Sequence, residues 1–419
     1  MTEPAAEAKT MKTQILVAGA GSTGVAAAMA FARAGFDVVL AGRFPPALPG
    51  RTVALFEASI RFLDALGVLP RVKEKASPIA AIRMVDDTGQ FLPTPDLVLE
   101  AREIGLPALG VNISNDELVE ILIAAARERS DFEIVEADIA DYTFDGDGAV
   151  AKLADGRRIE ADFVVAADGR GSRARAVAGI DTQEWSYPQV ALTALLRHEL
   201  PHEEVSVEFH TRSGPFTLVP LQGREGAPHR SSLVWLMSVP DASRRLARSR
   251  LELQFELEDR SHGRLGAMAI EGDIGQFRMG GMRVSAYAKD RVALVGETCH
   301  VFPPIGAQGL NLSLRDVADL EDCLASVDLS NRRELSHALS RYDRHRSADI
   351  GFRTLGVDLL NRSLIIPYLP VDLLRGAGFL AVSALAPLRR ALIREGVAPH
   401  LLLPRLMQEK APRPARRAG

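Results

Sequence analysis

The chain has 419 residues, 47% of them apolar and 25% charged, with a formal net charge of −4. That length exceeds what one hydrophobic core usually covers, so two domains or one large elaborated domain are expected, in a folded rather than disordered protein. The slightly acidic balance excludes nucleic-acid binding as a main function, and two cysteines, Cys299 and Cys323, are too few for a disulfide framework or a zinc site and suit a reducing, cytoplasmic setting.

Met1 to Thr10 lacks the apolar core of a secretory signal and reads as a disordered tail, with structure starting near Met11. Ile15 to Leu40 passes from a short apolar run through glycines and an alanine-rich stretch ended by Gly35 to a second apolar run, which predicts strand, tight turn, helix and strand. Gly19, Gly21 and Gly24 fit the dinucleotide fingerprint in that context, with Ser22 and Thr23 between them and the helix start aimed at a pyrophosphate. The acidic residue that normally ends the fingerprint is missing: the chain reads Ala41-Gly42-Arg43. Arg43 could hold a 2′-phosphate instead, so the fingerprint alone does not name the nucleotide.

Further along, Arg51 to Leu66 has helical apolar spacing with Gly67 as its stop, and Ser114 to Glu117 has the form of a capping box opening a helix to about Glu128. Asp145-Gly146 and Asp155-Gly156 predict turns between short strands, and a strand from Phe163 to Ala167 delivers Asp168-Gly169. Glu184 to Val239 shifts to extended, aromatic-bearing segments, read as an antiparallel sheet in a second domain. Arg291 to Val295 is a buried strand, and Gln308 to about Ala325 a helix. The leucine-rich stretches Leu359 to Leu374 and Phe379 to Leu392 predict helices packed on the first domain or, alternatively, resting on a membrane surface; Gly376 to Leu388 is too short and proline-broken to span one. Lys410 to Gly419 reads as a disordered basic tail.

Three separated segments, GAGSTG at the start, AADGRGSRAR at 166 to 175 and VGETCHVFPPIGAQGLNLSLRD at 295 to 316, together resemble FAD-dependent aromatic monooxygenases of the para-hydroxybenzoate hydroxylase type. The stretches at 186 to 221 and 231 to 241 bring the resemblance closest to the ubiquinone-biosynthesis hydroxylase family, over roughly residues 12 to 400. The resemblance implies an α/β fold: a Rossmann-like FAD-binding domain with an inserted antiparallel β-sheet substrate domain and C-terminal helices. The expected division is 11–80, 108–181 and 280–350 for FAD, 81–107 and 182–279 for substrate, 351–409 for the helical segment and 410–419 for the tail.

By the same resemblance, the FAD pyrophosphate lies on the turn from Gly19 to Gly24, with Asp168 and Gly169 near it. Glu297, one methylene longer than the family's usual aspartate, addresses a ribityl hydroxyl. Pro303, Pro304, Gly306, Gln308 and Gly309 keep backbone close to the isoalloxazine, and the helix start points its positive end at the ring's pyrimidine edge through backbone groups of Leu310 and Asn311. Arg51 and Asn115 match residues beside the flavin; for Arg51 a surface ion pair, and for Asn115 simple helix capping, are the competing readings. Ala41 and Glu297 each forgo about one hydrogen bond to a charged partner, roughly 1.5 to 3 kcal/mol, which weakens FAD retention without abolishing it.

Cys299-His300 reads as packing under the flavin rather than as a nucleophile and base, and His198, His202 and His210 lack metal-ligand spacing and read as surface or structural. Trp185 and Trp235 read as packing, with Trp235 the one that could line a substrate pocket. The implied activity is hydroxylation of a prenylated phenol in ubiquinone biosynthesis, with NAD(P)H and O2 as co-substrates and a flavin hydroperoxide as oxidant. No residue is assigned as the phenol base. Two alternatives stay open: a weakly flavin-binding subunit of a quinone-biosynthesis assembly, and a flavin-dependent prenyl reductase.

Overall fold

The computed structural model describes residues 10–46, 50–89, 95–145, 147–303, 306–365, 369–397 and 403–409, with 355–365, 369–375 and 377 described by backbone alone. The two expected tails, Gly146 of the first Asp-Gly turn and Pro304 lie outside these residues, although Thr10 already pairs with Arg158 at the start of the first strand.

In chain order, β1 (Thr10–Ala18), α1 (Ser22–Arg33) and β2 (Val38–Ala41) form the expected opening unit. Then come β3 (Thr52–Phe56), α2 (Glu57–Ala65), α3 (Leu69–Lys75), β4 (Ser77–Ile79), β5 (Ala81–Asp86), β6 (Leu97–Glu100), β7 (Gly110–Ser114) and α4 (Asn115–Arg127). A strand group follows: β8 (Glu133–Val135), β9 (Ile139–Phe144), β10 (Ala149–Leu153) and β11 (Arg158–Ala166), before α5 (Arg173–Val177). The long β12 (Thr182–His198) leads to β13 (Val205–Thr211), β14 (Gly214–Leu221), β15 (Arg230–Ser238), α6 (Val239–Leu246), α7 (Arg250–Arg260) and the equally long β16 (Met268–Val284). The chain then runs through β17 (Ala288–Lys289), β18 (Val292–Leu294), β19 (His300–Val301), α8 (Gln308–Leu324), α9 (Arg332–Ile365), α10 (Leu369–Ala384) and α11 (Ala386–Val397).

The first sheet has the order β17-β18-β11-β1-β2-β8, parallel apart from β17, with β10 and β9 appended as an antiparallel excursion from β11. Its central strands are apolar on both faces, as a parallel sheet covered by helices requires: Ile15 to Ala18 and Phe163 to Ala166 are fully buried. The second sheet runs β19-β16-β12-β15-β14-β13-β5-β6 and has its own core around Phe209, Phe216, Trp235 and Met237. It is antiparallel as expected except for one parallel pair, β13 with β5. A small third sheet, β3-β7-β4, lies between them in sequence. This is the α/β fold with a Rossmann-like unit and a large second sheet. No described helix is long and apolar enough to cross a membrane.

Two local expectations are corrected. Arg51 to Phe56 is not the start of a helix: Thr52 to Phe56 pairs antiparallel with Gly110 to Ser114, and the helix begins at Glu57. The β-branched Thr52 and Val53 suit that ladder, and Leu55 is buried in either conformation, so the helical spacing did not discriminate. Ser114 does precede α4, but its side chain makes no capping bond, so the capping box is not formed.

A buried ion network ties α8 to α9 and to the loop after β18. Asp316, with no exposure, accepts from Gly296 N–H at 2.8 Å and Arg346 Nε at 2.8 Å, and lies 2.7 Å from His300 Nε2. Burial alone would push the Asp316 carboxyl up, but His300 and Arg346 hold it below the ordinary range. Asp349 is held at about 2 in the same way, against its own burial, by Arg346, Arg315 and Arg353. Asp316→Asn is expected to cost about 3–5 kcal/mol in urea unfolding, because it uncovers a buried cation. Since both carboxyls sit below their unfolded value of ~3.9, their contribution is complete above about pH 4 and is lost as pH falls toward 2, which acid titration of unfolding should record.

Candidate functional site

The glycine turn is built by close backbone approach. A Cβ on Gly19 would collide with the Ala167 carbonyl, and one on Gly24 with the Gly19 carbonyl, whereas a Cβ on Gly21 meets nothing within 4 Å. Gly21 is the N-cap of α1 without a side-chain cap, the first turn holds no acidic residue, and the first helical bond runs from Val25 N–H to Gly21 O. The amides of Ser22, Thr23 and Gly24 therefore open the helix without intrahelical acceptors, the arrangement that takes an anionic group.

Two further loops converge on this turn. Asp168 accepts from the N–H groups of Arg173 and Ala174 at 2.9 and 3.3 Å, which spends one oxygen on the start of α5, while its Oδ1 is buried without a partner. Gly169 adopts φ +79° and donates its N–H to Thr298 Oγ1 at 3.1 Å, and Arg170 pairs with Glu297 at 3.2 Å. Thr23 packs against Gly296, so the three motif loops form one surface.

That surface leads into a cleft of about 370 Å³ between the second and third sheets and the loop that leads into α8. Its walls include Arg51, Asn115, Glu297, Pro303, Gly306, Gln308, Gly309 and Leu310 from the predicted set, with Arg170, Arg278, Phe277, Phe302, Val219 and Val234. Arg51 lies over the Phe277 ring at 4.1 Å rather than in a surface ion pair. The start of α8 faces the cleft with no side-chain cap and no acidic residue in its first turn, and its N-cap Ala307 has φ +51°. A non-glycine residue in that region stores strain, and its neighbours show what holds it. The Asn311 side chain donates to Ala54 O and Ala307 O at 2.8 and 2.7 Å and accepts from Phe56 N–H and Ser59 Oγ at 2.9 and 2.7 Å. With all four amide bonds used inside the protein, Asn311 has only its backbone to offer a ligand.

The remaining predicted residues fall elsewhere. Gly19 to Gly24, Asp168, Gly169 and Asn311 are not among the cleft-lining residues, and Arg43 pairs with Asp138 at 2.8 Å on the surface. Asn115 receives no role as a side-chain cap; its N–H donates to Arg51 O at 3.0 Å. Cys299 is fully buried, and burial together with Asp316 pushes its thiol well up, so it packs rather than attacks. Trp235 lies in the second core against Phe216 and under Arg245, not in the cleft, and Trp185 covers Gly281. His198 is buried against Ser231 Oγ at 3.0 Å. The sequence did not single out Asp316 and Arg346, and His210 reads there as surface or structural. His210 Nε2 lies 2.6 Å from Glu208, which lines the cleft. The signal was available, since residues two apart on a strand share a face.

Two uncapped helix starts, a glycine turn open only at its middle position and a cleft between two sheets define a dinucleotide-dependent enzyme of the flavoprotein type, and these residues fit FAD. Residues 12–350 match the family described as FAD binding domain. The chain is 32% identical over 391 residues to "Ubiquinone hydroxylase UbiL" of Rhodospirillum rubrum, covering 91% of this chain and 89% of that one. It is 29% identical over 394 residues to "3-demethoxyubiquinol 3-hydroxylase" of Escherichia coli, covering 91% and 97%. Among solved structures, PqsL of Pseudomonas aeruginosa, described as a probable FAD-dependent monooxygenase, superposes with a TM-score of 0.74 at 22% identity, covering 88% and 99%. The chain belongs to the FAD-binding family of the ubiquinone-biosynthesis hydroxylases and is an FAD-dependent monooxygenase.

The turn geometry predicts a split among the glycines. Gly24→Ala should lower the stability of the FAD-free chain by ~2 kcal/mol or more through backbone collision. Gly21→Ala should stay within about 1 kcal/mol of the parent, both read from thermal unfolding.

Proposed function

We infer that this chain hydroxylates a prenylated phenol of ubiquinone biosynthesis, with NAD(P)H and O2 as co-substrates. The observation that carries this reading is the inter-sheet cleft, walled on one side by the uncapped start of α8 and on the other by a second-sheet face mixing Thr193, Ser206, Thr217 and Ser232 with Ile82, Val219 and Val234. An aromatic ring with a hydroxyl and an apolar chain matches that mixture. The hydroxylases of Rhodospirillum rubrum and Escherichia coli that this chain resembles support the ubiquinone pathway.

Residues 11–80, 108–181 and 280–350 serve as the FAD-binding domain, and 81–107 with 182–279 as the substrate domain. Gly19, Gly21, Ser22, Thr23 and Gly24 take the pyrophosphate, with Asp168 and Gly169 beside it. Glu297 reaches a ribityl hydroxyl, and its pairing with Arg170 makes that contact an exchange of partners. Arg51, Asn115, Pro303, Gly306, Gln308, Gly309 and Leu310 surround the ring, and Asn311 contributes backbone. Arg43, occupied by Asp138, contributes little. Bound there, the flavin supplies the electron transfer and oxygen activation that no side chain provides. The start of α8 favours negative charge on the nearby ring edge, and the apolar walls exclude water.

Purified protein reconstituted with FAD should show a flavin spectrum and oxidise NAD(P)H faster when a prenylated phenol is present; a chain that takes up no flavin would end this reading. Gly21→Val, which fills the vacant approach to the turn, should weaken FAD binding at least about tenfold by fluorescence titration, a loss of ~1.4 kcal/mol.

The substrate's apolar chain also bears on location. Leu388 and Leu392, one turn apart on α11, and Leu385 just before it are exposed, and this apolar stripe rests on a membrane surface. Flotation with anionic vesicles should carry the protein upward, and Leu388→Glu with Leu392→Glu should leave it at the bottom of the gradient.

A further inference from the structure

The cleft holds a carboxylate placed unlike Glu297. Glu208 projects from the middle of β13 into the substrate-side wall, with its side chain 13% exposed against 61% for Glu297. His210 stands two residues further on the same strand face, 1% exposed, and its Nε2 approaches Glu208 Oε1 at 2.6 Å. Its Nδ1 is buried with no hydrogen-bond partner among the described residues, and its Nε2–H donates to the carboxylate. One oxygen of Glu208 is thereby fixed. The other is left for the cleft.

Two more buried polar atoms belong to cleft-lining residues and lack partners: Thr193 Oγ1 and Asn112 Oδ1. Both atoms are shielded, one on β12 and the other on β7, so leaving them unpaired costs stability. Around Glu208, the register neighbour on β14 is the uncharged Thr217, and on β5 it is Met84, with Asp86 beside His210. Phe379 of α10 meets His210 edge-on at 5.6 Å. Arg51, Arg170, Arg278 and Glu297 are the other charged residues lining the cleft.

We propose that Glu208 is the proton acceptor for the substrate's ring hydroxyl and that His210 is the positioning residue holding its carboxylate. This rests on the hydroxylase reading above. As one atom of O2 bonds to the ring, the O–O bond breaks and the other atom leaves as water with the two electrons that NAD(P)H supplies. The hydroxyl O–H bond breaks, its electron pair moves into the ring and the proton passes to the second oxygen of Glu208. When the attacked carbon then loses its hydrogen as a proton to water and aromaticity returns, Glu208 gives its proton back to the original oxygen. The carboxylate is regenerated, and the arginines of the cleft favour the transient negative charge.

The test uses the full chain loaded with FAD and 2-prenylphenol as the probe, following hydroxylated product per NAD(P)H consumed. Glu208→Gln should retain its flavin spectrum yet lose about 10²–10⁴-fold in kcat/KM near neutral pH. The loss should shrink about tenfold per pH unit between about pH 7 and 9, as the probe, with an ordinary phenol pKa of ~10, ionises by itself. A loss of equal size at every pH, or no loss, would overturn the proposal while leaving the hydroxylase reading standing. If the parent protein holds FAD but hydroxylates no phenol, both fall together. For His210, His210→Asn keeps a donor toward Glu208 and should retain more activity than His210→Leu; equal activities would remove its positioning role.

Discussion

Asp316 is a carboxylate without water, and the cleft depends on how that charge is neutralised. A lone buried carboxylate is prohibitively costly, so the fold surrounds it with Arg346, the imidazole of His300 and the N–H of Gly296. Each partner comes from a different piece of chain: α9, the short strand β19 and the turn after β18. Satisfying one charge therefore locks the loop carrying Glu297 and the body of α8 into one rigid unit. Arg346 extends the network to Asp349, which also receives Arg315 and Arg353, and Arg353 reaches Gln308 at 3.1 Å in the first turn of α8. Charge compensation in the interior thus reaches a residue that lines the cleft.

The start of α8 is also fixed by neutral bonds. Asn311 spends its whole side-chain amide on Ala54, Phe56, Ser59 and Ala307, which fastens the helix start to β3 and supports the left-handed Ala307. The consequence is a helix terminus held open toward a cavity without a side chain to cap it. Such a terminus is costly to leave bare unless a ligand meets it. The same economy governs the opposite wall, where β12 and β13 carry Thr193 and Glu208 into the cleft. The second oxygen of Glu208, without a partner among the described residues, is available to a substrate.

How much of this was legible in the sequence varies with the range of the forces involved. The opening β-α-β unit was readable because its apolar periods and its glycines are dictated by contacts within about thirty residues. Gly35 and Gly67 were readable as stops because positive φ at a helix end is a local requirement, and both show it. The strand Thr52 to Phe56 was not readable: its partner β7 lies more than fifty residues on, and the β-branched Thr52 and Val53 are too short a local signal to outweigh the helical spacing that follows. Asp316 lay inside a recognised motif, yet its role depended on Arg346, thirty residues away on another helix. His210 was misread for a different reason. Its partner was two positions away, but that pairing has meaning only once the segment is known to be a strand facing a cavity.

The amino-acid sequence by itself determined the α/β class, the glycine turn and its suitability for a pyrophosphate, because these follow from backbone sterics and short-range periodicity. It also determined, through three motifs taken together, membership of the flavin hydroxylases. Only the tertiary structure decided which polar atoms remain unpaired, where Glu208 stands relative to the start of α8, and that Arg43 is spent on Asp138. Hydrogen-bond satisfaction and charge compensation are set by neighbours distant in the chain, and no local pattern encodes which partner arrives first.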